Sequence, residues 1–87
     1  MVNHKVVITN PTGLHLRAAG VLCTEAVKFQ SKITFSRDTT TANAKSVLSV
    51  LGAGVKCGDE LEFVCEGVDE DQALCAMLTV INNGLGE

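Results

Sequence analysis

The segment from Glu60 to Glu66 has the strictest alternation in the chain and limits its fold most strongly. Leu61, Phe63 and Cys65 fall on one side of an extended backbone, whereas acids and a valine fall on the other. A strand with one apolar side and one wet side is typical of an antiparallel sheet that is covered on one face. The sequence therefore predicts a sheet with helices on a single side.

Three further segments are predicted to be extended. Val2 to Thr9 and Ser31 to Ser36 also alternate, and Arg37-Asp38-Thr39 is typical of a hairpin that leads into Thr40 to Ala44. Asn10-Pro11-Thr12-Gly13 combines a fixed proline dihedral with a glycine that can take positive φ, so it predicts a turn after the first strand.

Three other segments have apolar residues at helical spacing. They run from Leu16 to Phe29, from Ser46 to Leu51 before Gly52, and from Asp69 to about Asn83, where acids suit the start of a helix. The predicted order is β-α-β-β-α-β-α. We expect an α+β fold in one domain spanning residues 1–87, an open-faced two-layer sandwich of four antiparallel strands with three helices on one face.

Composition excludes several classes of protein. An 87-residue chain has room for one core. With no Trp or Tyr and a net charge of −3, it is a poor candidate for stacking on bases, and we expect no nucleic-acid partner. No apolar run is long enough to cross a bilayer, and the start of the chain lacks the pattern of a signal peptide. We therefore expect a cytoplasmic protein with no membrane insertion. We also expect a monomer when the protein is free, with transient partner complexes.

The cysteines and the charges are distributed unevenly. The four cysteines form no Cys-x-x-Cys pair, so we expect four buried small apolar residues, no metal site and no cofactor. All seven Lys and Arg lie between Lys5 and Lys56, and seven of the ten acids lie between Asp59 and Asp71. The first half could therefore present a positive field to an anion or an acidic partner, and simple clustering on a solvated surface is the alternative.

The segment from Gly13 to Ala19 carries the candidate chemistry. It places His15 at the start of a predicted helix that has no Asp, Asn, Ser or Thr just before it, so the first backbone N–H groups, including those of Leu16 and Arg17, lack a capping side chain. Such groups can bind a phosphate, and Arg17 adds a permanent charge. A neutral imidazole can also accept a phosphoryl group. From these residues alone, a surface histidine that caps the helix remains open.

The order of these residues resembles a known family. Gly13, Leu14, His15, Arg17 and Ala19 after a first strand, with Ala44-Lys45-Ser46 about thirty residues later, resemble the histidine-containing phosphocarrier (HPr) family of the bacterial sugar phosphotransferase system. The likeness extends over the whole chain in length and element order. Family members commonly have Ala or Thr where this chain has Leu16, and Pro where it has Ala18.

The resemblance implies a function and partners. Enzyme I, charged by phosphoenolpyruvate, would phosphorylate His15 on Nδ1, and the phosphoryl group would pass to an enzyme IIA domain. Arg17 would stabilise that group, and Ser46 would be a regulatory position for a kinase and phosphorylase. Such a protein is a carrier, not an enzyme. Ser46 also suits the N-cap of the second helix.

Two further points concern partners. The short second helix has more apolar side chains than one buried stripe requires, so we expect a docking patch formed by Leu16, Val47, Leu48 and Leu51. The alternatives to a carrier are a regulatory paralogue of the nitrogen or catabolite-control type, acting by protein binding, and a ligand-binding sandwich without phosphate chemistry.

Overall fold

The computed structural model describes residues 1–86. The elements follow the predicted order, with one short 3-10 turn added at the end of the chain. They are β1 (Val2–Val7), α1 (Leu16–Ala26), β2 (Lys32–Arg37), β3 (Thr40–Asn43), α2 (Val47–Gly52), β4 (Glu60–Glu66), α3 (Glu70–Asn82) and the 3-10 turn Gly84–Gly86.

The four strands form one sheet in the order β1-β4-β2-β3, and every neighbouring pair is antiparallel. Leu61, Phe63 and Cys65 are fully buried, which confirms the prediction from alternation in β4. Phe63 lies opposite Phe35 of β2, and their ring centroids are 5.3 Å apart. Burying a side chain of this size stabilises the fold by roughly 1.5 to 3 kcal/mol. These two rings therefore anchor the centre of the core.

The helices cover the apolar face of the sheet. α3 packs on β1, β2 and β4, and α1 packs against both α2 and α3. α1 ends at Ala26, three residues before the predicted end at Phe29. The reason lies in the hydrogen bonds, because the amides of Lys28 and Phe29 donate to carbonyls three residues back, which tightens the chain out of the α-helix. Phe29 still packs, half-buried, against the core.

The first strand is two residues shorter than predicted. Ile8 leaves the ladder because its amide donates to the carbonyl of Asp59 at 2.9 Å, and its carbonyl accepts from the amide of Gly58 at 2.7 Å. The end of β1 is thus joined to the loop that precedes β4. This junction places the turn after β1 next to that loop.

The prediction that all four cysteines are buried is wrong for two of them. Cys23 and Cys65 lie in the core, and burial raises the pKa of both thiols. Cys57 lies in the loop before β4 and Cys75 on α3, and both are exposed. Cys75 is exposed because its neighbours two residues away on either side, Ala73 and Met77, take the buried face of the helix.

The described part of the chain, residues 1–86, has no helix that is both long enough and apolar enough to cross a membrane.

Candidate phosphate site at the start of the first helix

A closed turn brings the chain from β1 to the candidate site. The amide of Gly13 donates to the carbonyl of Asn10 at 3.0 Å, and Nδ2 of Asn10 donates back to the carbonyl of Gly13 at 2.5 Å. Asn10 is buried, so these bonds satisfy polar groups that water does not reach. The turn predicted from Asn10 to Gly13 is therefore present.

Glycine is required at position 13 for two reasons. Its φ is +63°, which L side chains rarely adopt, and a Cβ there would lie 2.4 Å from the carbonyl oxygen of Val55. The next residue, Leu14, is buried, and its amide donates to that same oxygen at 3.1 Å. The segment before His15 thus rests directly on the loop that follows α2.

His15 is the N-cap residue of α1. Its backbone is extended, with φ −76° and ψ −179°, and its carbonyl accepts the first bond of the helix from Ala19 at 2.8 Å. The imidazole is exposed and makes no capping bond to the helix, and the first turn contains no acidic residue. The start of α1 therefore offers N–H groups without a capping side chain, as predicted, and an anion can bind there.

A shallow depression of about 190 Å³ lies beside His15. Leu14, Leu51 and the loop residues Gly54, Val55 and Lys56 line it with the histidine. Nothing in the sequence pattern indicated that Val55 or Lys56 would join this site, because they lie about forty residues from His15 along the chain. The only available signal was the run of glycines at positions 52, 54 and 58, which is typical of a tight loop.

The seven cations of the first half do not converge on His15. Lys28 pairs with Glu25 at 2.9 Å, Nζ of Lys45 donates to the carbonyl of Phe29 at 2.6 Å, and Arg37 lies 3.6 Å from Asp59. Arg17 and Lys56 are exposed, Arg17 in the first turn of α1 and Lys56 on the wall of the depression. The local positive charge is therefore supplied by these two residues.

Apolar side chains are exposed on both neighbouring helices, α1 and α2. Leu16 is 69% exposed and Leu48 82% exposed, whereas Val47 and Leu51 are half-buried and Val50 is buried. Of the four residues expected in a docking patch, Leu16 and Leu48 are therefore the exposed ones.

Ser46 caps α2, as its sequence position indicates. Its Oγ accepts a hydrogen bond from the amide of Ser49 at 3.3 Å, and its carbonyl accepts from Val50 at 3.0 Å. The hydroxyl is half-buried and lies at the positive end of the helix.

Comparison with known proteins assigns the chain to a class. Residues 2–83 match the family model described as "PTS HPr component phosphorylation site". The phosphocarrier protein HPr of Treponema pallidum is 41% identical over 87 residues, covering 100% of this chain and 99% of that protein. A crystal structure of HPr from Thermoanaerobacter tengcongensis superposes with a TM-score of 0.96 at 36% identity, covering 100% of this chain and 98% of that one.

A longer relative contains a similar unit. The multiphosphoryl transfer protein of Vibrio cholerae is 45% identical over 83 residues, which are 92% of this chain but 21% of that protein. Together with the fold, these matches define a phosphocarrier protein of the bacterial phosphotransferase system for sugars, which is a carrier and not an enzyme. The chain belongs to the HPr family.

Proposed function

We propose that His15 accepts a phosphoryl group from enzyme I and donates it to an enzyme IIA domain. One observation carries the proposal: the exposed imidazole stands at the uncapped N-terminus of α1 in a chain that belongs to a family of phosphocarriers. A phosphoryl group on His15 carries negative charge, which the N-terminus of a helix stabilises.

The chemistry uses the neutral ring. The lone pair of Nδ1 attacks the phosphorus atom, and the bond from phosphorus to the donor nitrogen of enzyme I breaks as the new P–N bond forms. The amides of Leu16 and Arg17 bind the phosphoryl oxygens, and the exposed guanidinium of Arg17 pairs with them. The onward step is the same exchange: the P–N bond to His15 breaks as a bond from phosphorus to the enzyme IIA acceptor forms, which leaves the His15 ring neutral again.

A phosphotransfer assay tests the proposal. The protein is incubated with enzyme I, Mg²⁺ and phosphoenolpyruvate, and intact mass is measured for one added, acid-labile phosphate. We expect His15→Ala to abolish the label and His4→Ala to keep it, since His4 is the other exposed histidine and lies in β1. An unlabelled wild-type protein, with an active sugar-type enzyme I, would instead favour a regulatory paralogue. Labelling only by a nitrogen-type enzyme I would identify the protein as a carrier of the nitrogen type.

The exposed and half-buried apolar residues of α1 and α2 serve as the docking patch in this proposal. The patch is Leu16, Val47, Leu48 and Leu51, and its partners are enzyme I and enzyme IIA. Leu48→Glu should raise the KM for enzyme I roughly tenfold, because a charge would replace an apolar contact. Val68→Glu is the matched control: Val68 is 83% exposed but follows the far end of β4, about 20 Å along the strand from the loop before it. Equal KM values for the two variants would rule the patch out.

Ser46 is proposed as a regulatory position for a kinase and a phosphorylase. Phosphate on its hydroxyl would add roughly −1.5 to −2 charge at the start of α2 without removing the helix cap. The added charge would oppose an acidic partner that docks beside His15. A Ser46→Asp variant that accepts phosphate from enzyme I as fast as the wild type would contradict this proposal.

The proposed setting is the cytoplasm, with residues 1–87 acting as one domain. The protein would be a monomer that needs no cofactor of its own and forms transient complexes with its partners.

A further inference from the structure

The loop before β4 is held closed by an arginine that lies outside the depression beside His15. This loop runs from Ala53 to Asp59, and Arg37 is the last residue of β2. Nη2 of Arg37 donates to the carbonyl of Ala53 at 2.8 Å, and Nη1 lies 3.6 Å from Oδ2 of Asp59. One guanidinium therefore contacts both ends of the loop.

The middle of the loop is tied to the same carboxylate. Oδ2 of Asp59 also accepts from the amide of Lys56 at 2.8 Å, and the amide of Asp59 donates to the carbonyl of Lys56 at 3.0 Å. Val55 precedes Lys56 directly, and its carbonyl accepts from the amide of Leu14. A continuous set of contacts thus leads from Arg37 through the loop to the residue before His15.

Close packing transmits the position of the loop to the site. Gly13 lies so near Val55 and Lys56 that even a methyl group would not fit between them. Leu14 and Val55 are both buried. A shift of the Val55 carbonyl therefore requires a shift of the segment that carries His15.

We propose that Arg37 is a positioning residue for phosphoryl transfer: by closing the loop from Ala53 to Asp59, it fixes the Val55 carbonyl behind Leu14 and so aligns His15 with the start of α1. The inference rests on the proposed phosphorylation of His15. Within residues 1–86 the hydrogen bond and ion pair of Arg37 go to Ala53 and Asp59, not to the docking patch, and Arg37 does not line the depression beside His15. Loss of its contacts should therefore affect the transfer step more than partner binding.

The test compares Arg37→Gln with Lys32→Gln. Both changes remove one positive charge from β2, but Lys32 lies at the opposite end of the strand and faces Glu66 across the sheet. Arg37→Gln should lower the kcat for phosphoryl uptake from enzyme I roughly tenfold, with KM within about twofold, because small misplacements of reacting groups are costly. Lys32→Gln should leave both values near those of the wild type.

Amide hydrogen exchange provides a readout that a general loss of stability would not reproduce. In Arg37→Gln the amide of Leu14 should exchange about tenfold faster, whereas the amides of β4 should keep their wild-type rates. The inference would be overturned if Arg37→Gln raised the exchange rates uniformly across β4. It would also be overturned if the kcat of Arg37→Gln equalled that of Lys32→Gln. If the wild-type protein accepts no phosphate, the proposed function fails. The exchange rate of the Leu14 amide in Arg37→Gln then still shows whether Arg37 holds the loop closed.

Discussion

The first and third helices begin in opposite ways. In neither helix does the N-cap side chain bond to the helix, but α1 starts at His15 with no acid in its first turn, whereas α3 starts after Asp69 with Glu70 and Asp71 in its first turn. Negative side chains stabilise the positive end of a helix, so α3 supplies its own anions. The start of α1 leaves that position for an external anion, which the proposed function identifies as the phosphoryl group.

The acids at the start of α3 also join separate parts of the chain. The carboxylate of Asp69 accepts from the amides of Gln30 and Ser31, each at 2.9 Å, and from the hydroxyl of Ser31. Glu70 accepts from the amide of Gly67 at 3.2 Å. The comparison teaches that charge at a helix start can serve packing or binding, and that in this molecule the two uses lie at different helices.

Removing the acid at α3 should give the largest loss of stability. Asp69→Ala deletes three hydrogen bonds and leaves the amide and hydroxyl of Ser31, a buried residue, without that partner. We expect the melting temperature to fall by roughly 10 °C, measured by circular dichroism. Phosphoryl uptake at 25 °C should remain unchanged, because Asp69 bonds to residues that follow the C-terminal end of α1, whereas His15 lies at the start of that helix. A loss of uptake that follows the fall in melting temperature would show that the start of α3 and the start of α1 are coupled.

Placing an acid at the start of α1 should make that start resemble the start of α3 and slow phosphoryl uptake. In Leu16→Glu a carboxylate would occupy the region proposed for the phosphoryl group, and Leu16→Gln controls for loss of the exposed leucine. Uptake from enzyme I should be roughly tenfold slower in the Glu variant than in the Gln variant, a difference of about 1.4 kcal/mol. The Glu variant should melt no lower than the Gln variant, since an acid suits this position. Equal rates would mean that the start of α1 does not bind the anion.

Acid should weaken the hydrogen bonds that Asp69 accepts at the start of α3. The hydrogen bond from the Ser31 hydroxyl, followed by that from the Gln30 amide, lowers the pKa of Asp69 below its ordinary value of 3.8. Its contribution to stability is therefore complete above that value and is lost as the pH falls through the lower pKa of the folded state. The difference in melting temperature between wild type and Asp69→Asn should shrink between neutral pH and about pH 2. A difference in melting temperature that grows on acidification would contradict the conclusion that ionised Asp69 stabilises the fold.

The sequence predicted the elements well because periodicity is a local property. β4 has the predicted bounds, Glu60 to Glu66, and His15 begins a helix without a capping side chain, as its neighbours in sequence indicated. What the sequence did not reveal depends on contacts across the fold. Arg37 was assigned only to a hairpin, and nothing in the spacing of residues linked Val55 to Leu14.

The exposed cysteines illustrate the same limit. Cys75 lies within an apolar run, so composition favoured burial, but its position on α3 places it on the outer face. The clustering of cations in the first half of the sequence was also an incomplete guide, because Lys28 and Lys45 are engaged by Glu25 and by the carbonyl of Phe29. Which cations lie near a site depends on how the chain folds. Their positions along the sequence did not reveal it.

The second helix lies between the two extremes, because a neutral hydroxyl caps it. Ser46→Ala removes the acceptor for the Ser49 amide and should lower the free energy of unfolding by about 1 kcal/mol, measured by urea denaturation. Ser46→Asp should restore that stability to within about 0.5 kcal/mol, because Asp is an equally good cap. The same Asp variant should accept phosphate from enzyme I more slowly, whereas Ser46→Ala should accept it at the wild-type rate. Wild-type stability together with slower transfer in Ser46→Asp would show that a negative charge at the start of α2 preserves the helix cap while it opposes the partner. If Ser46→Asp instead behaved like Ser46→Ala in both assays, α2 would belong with α3 as a purely structural helix start.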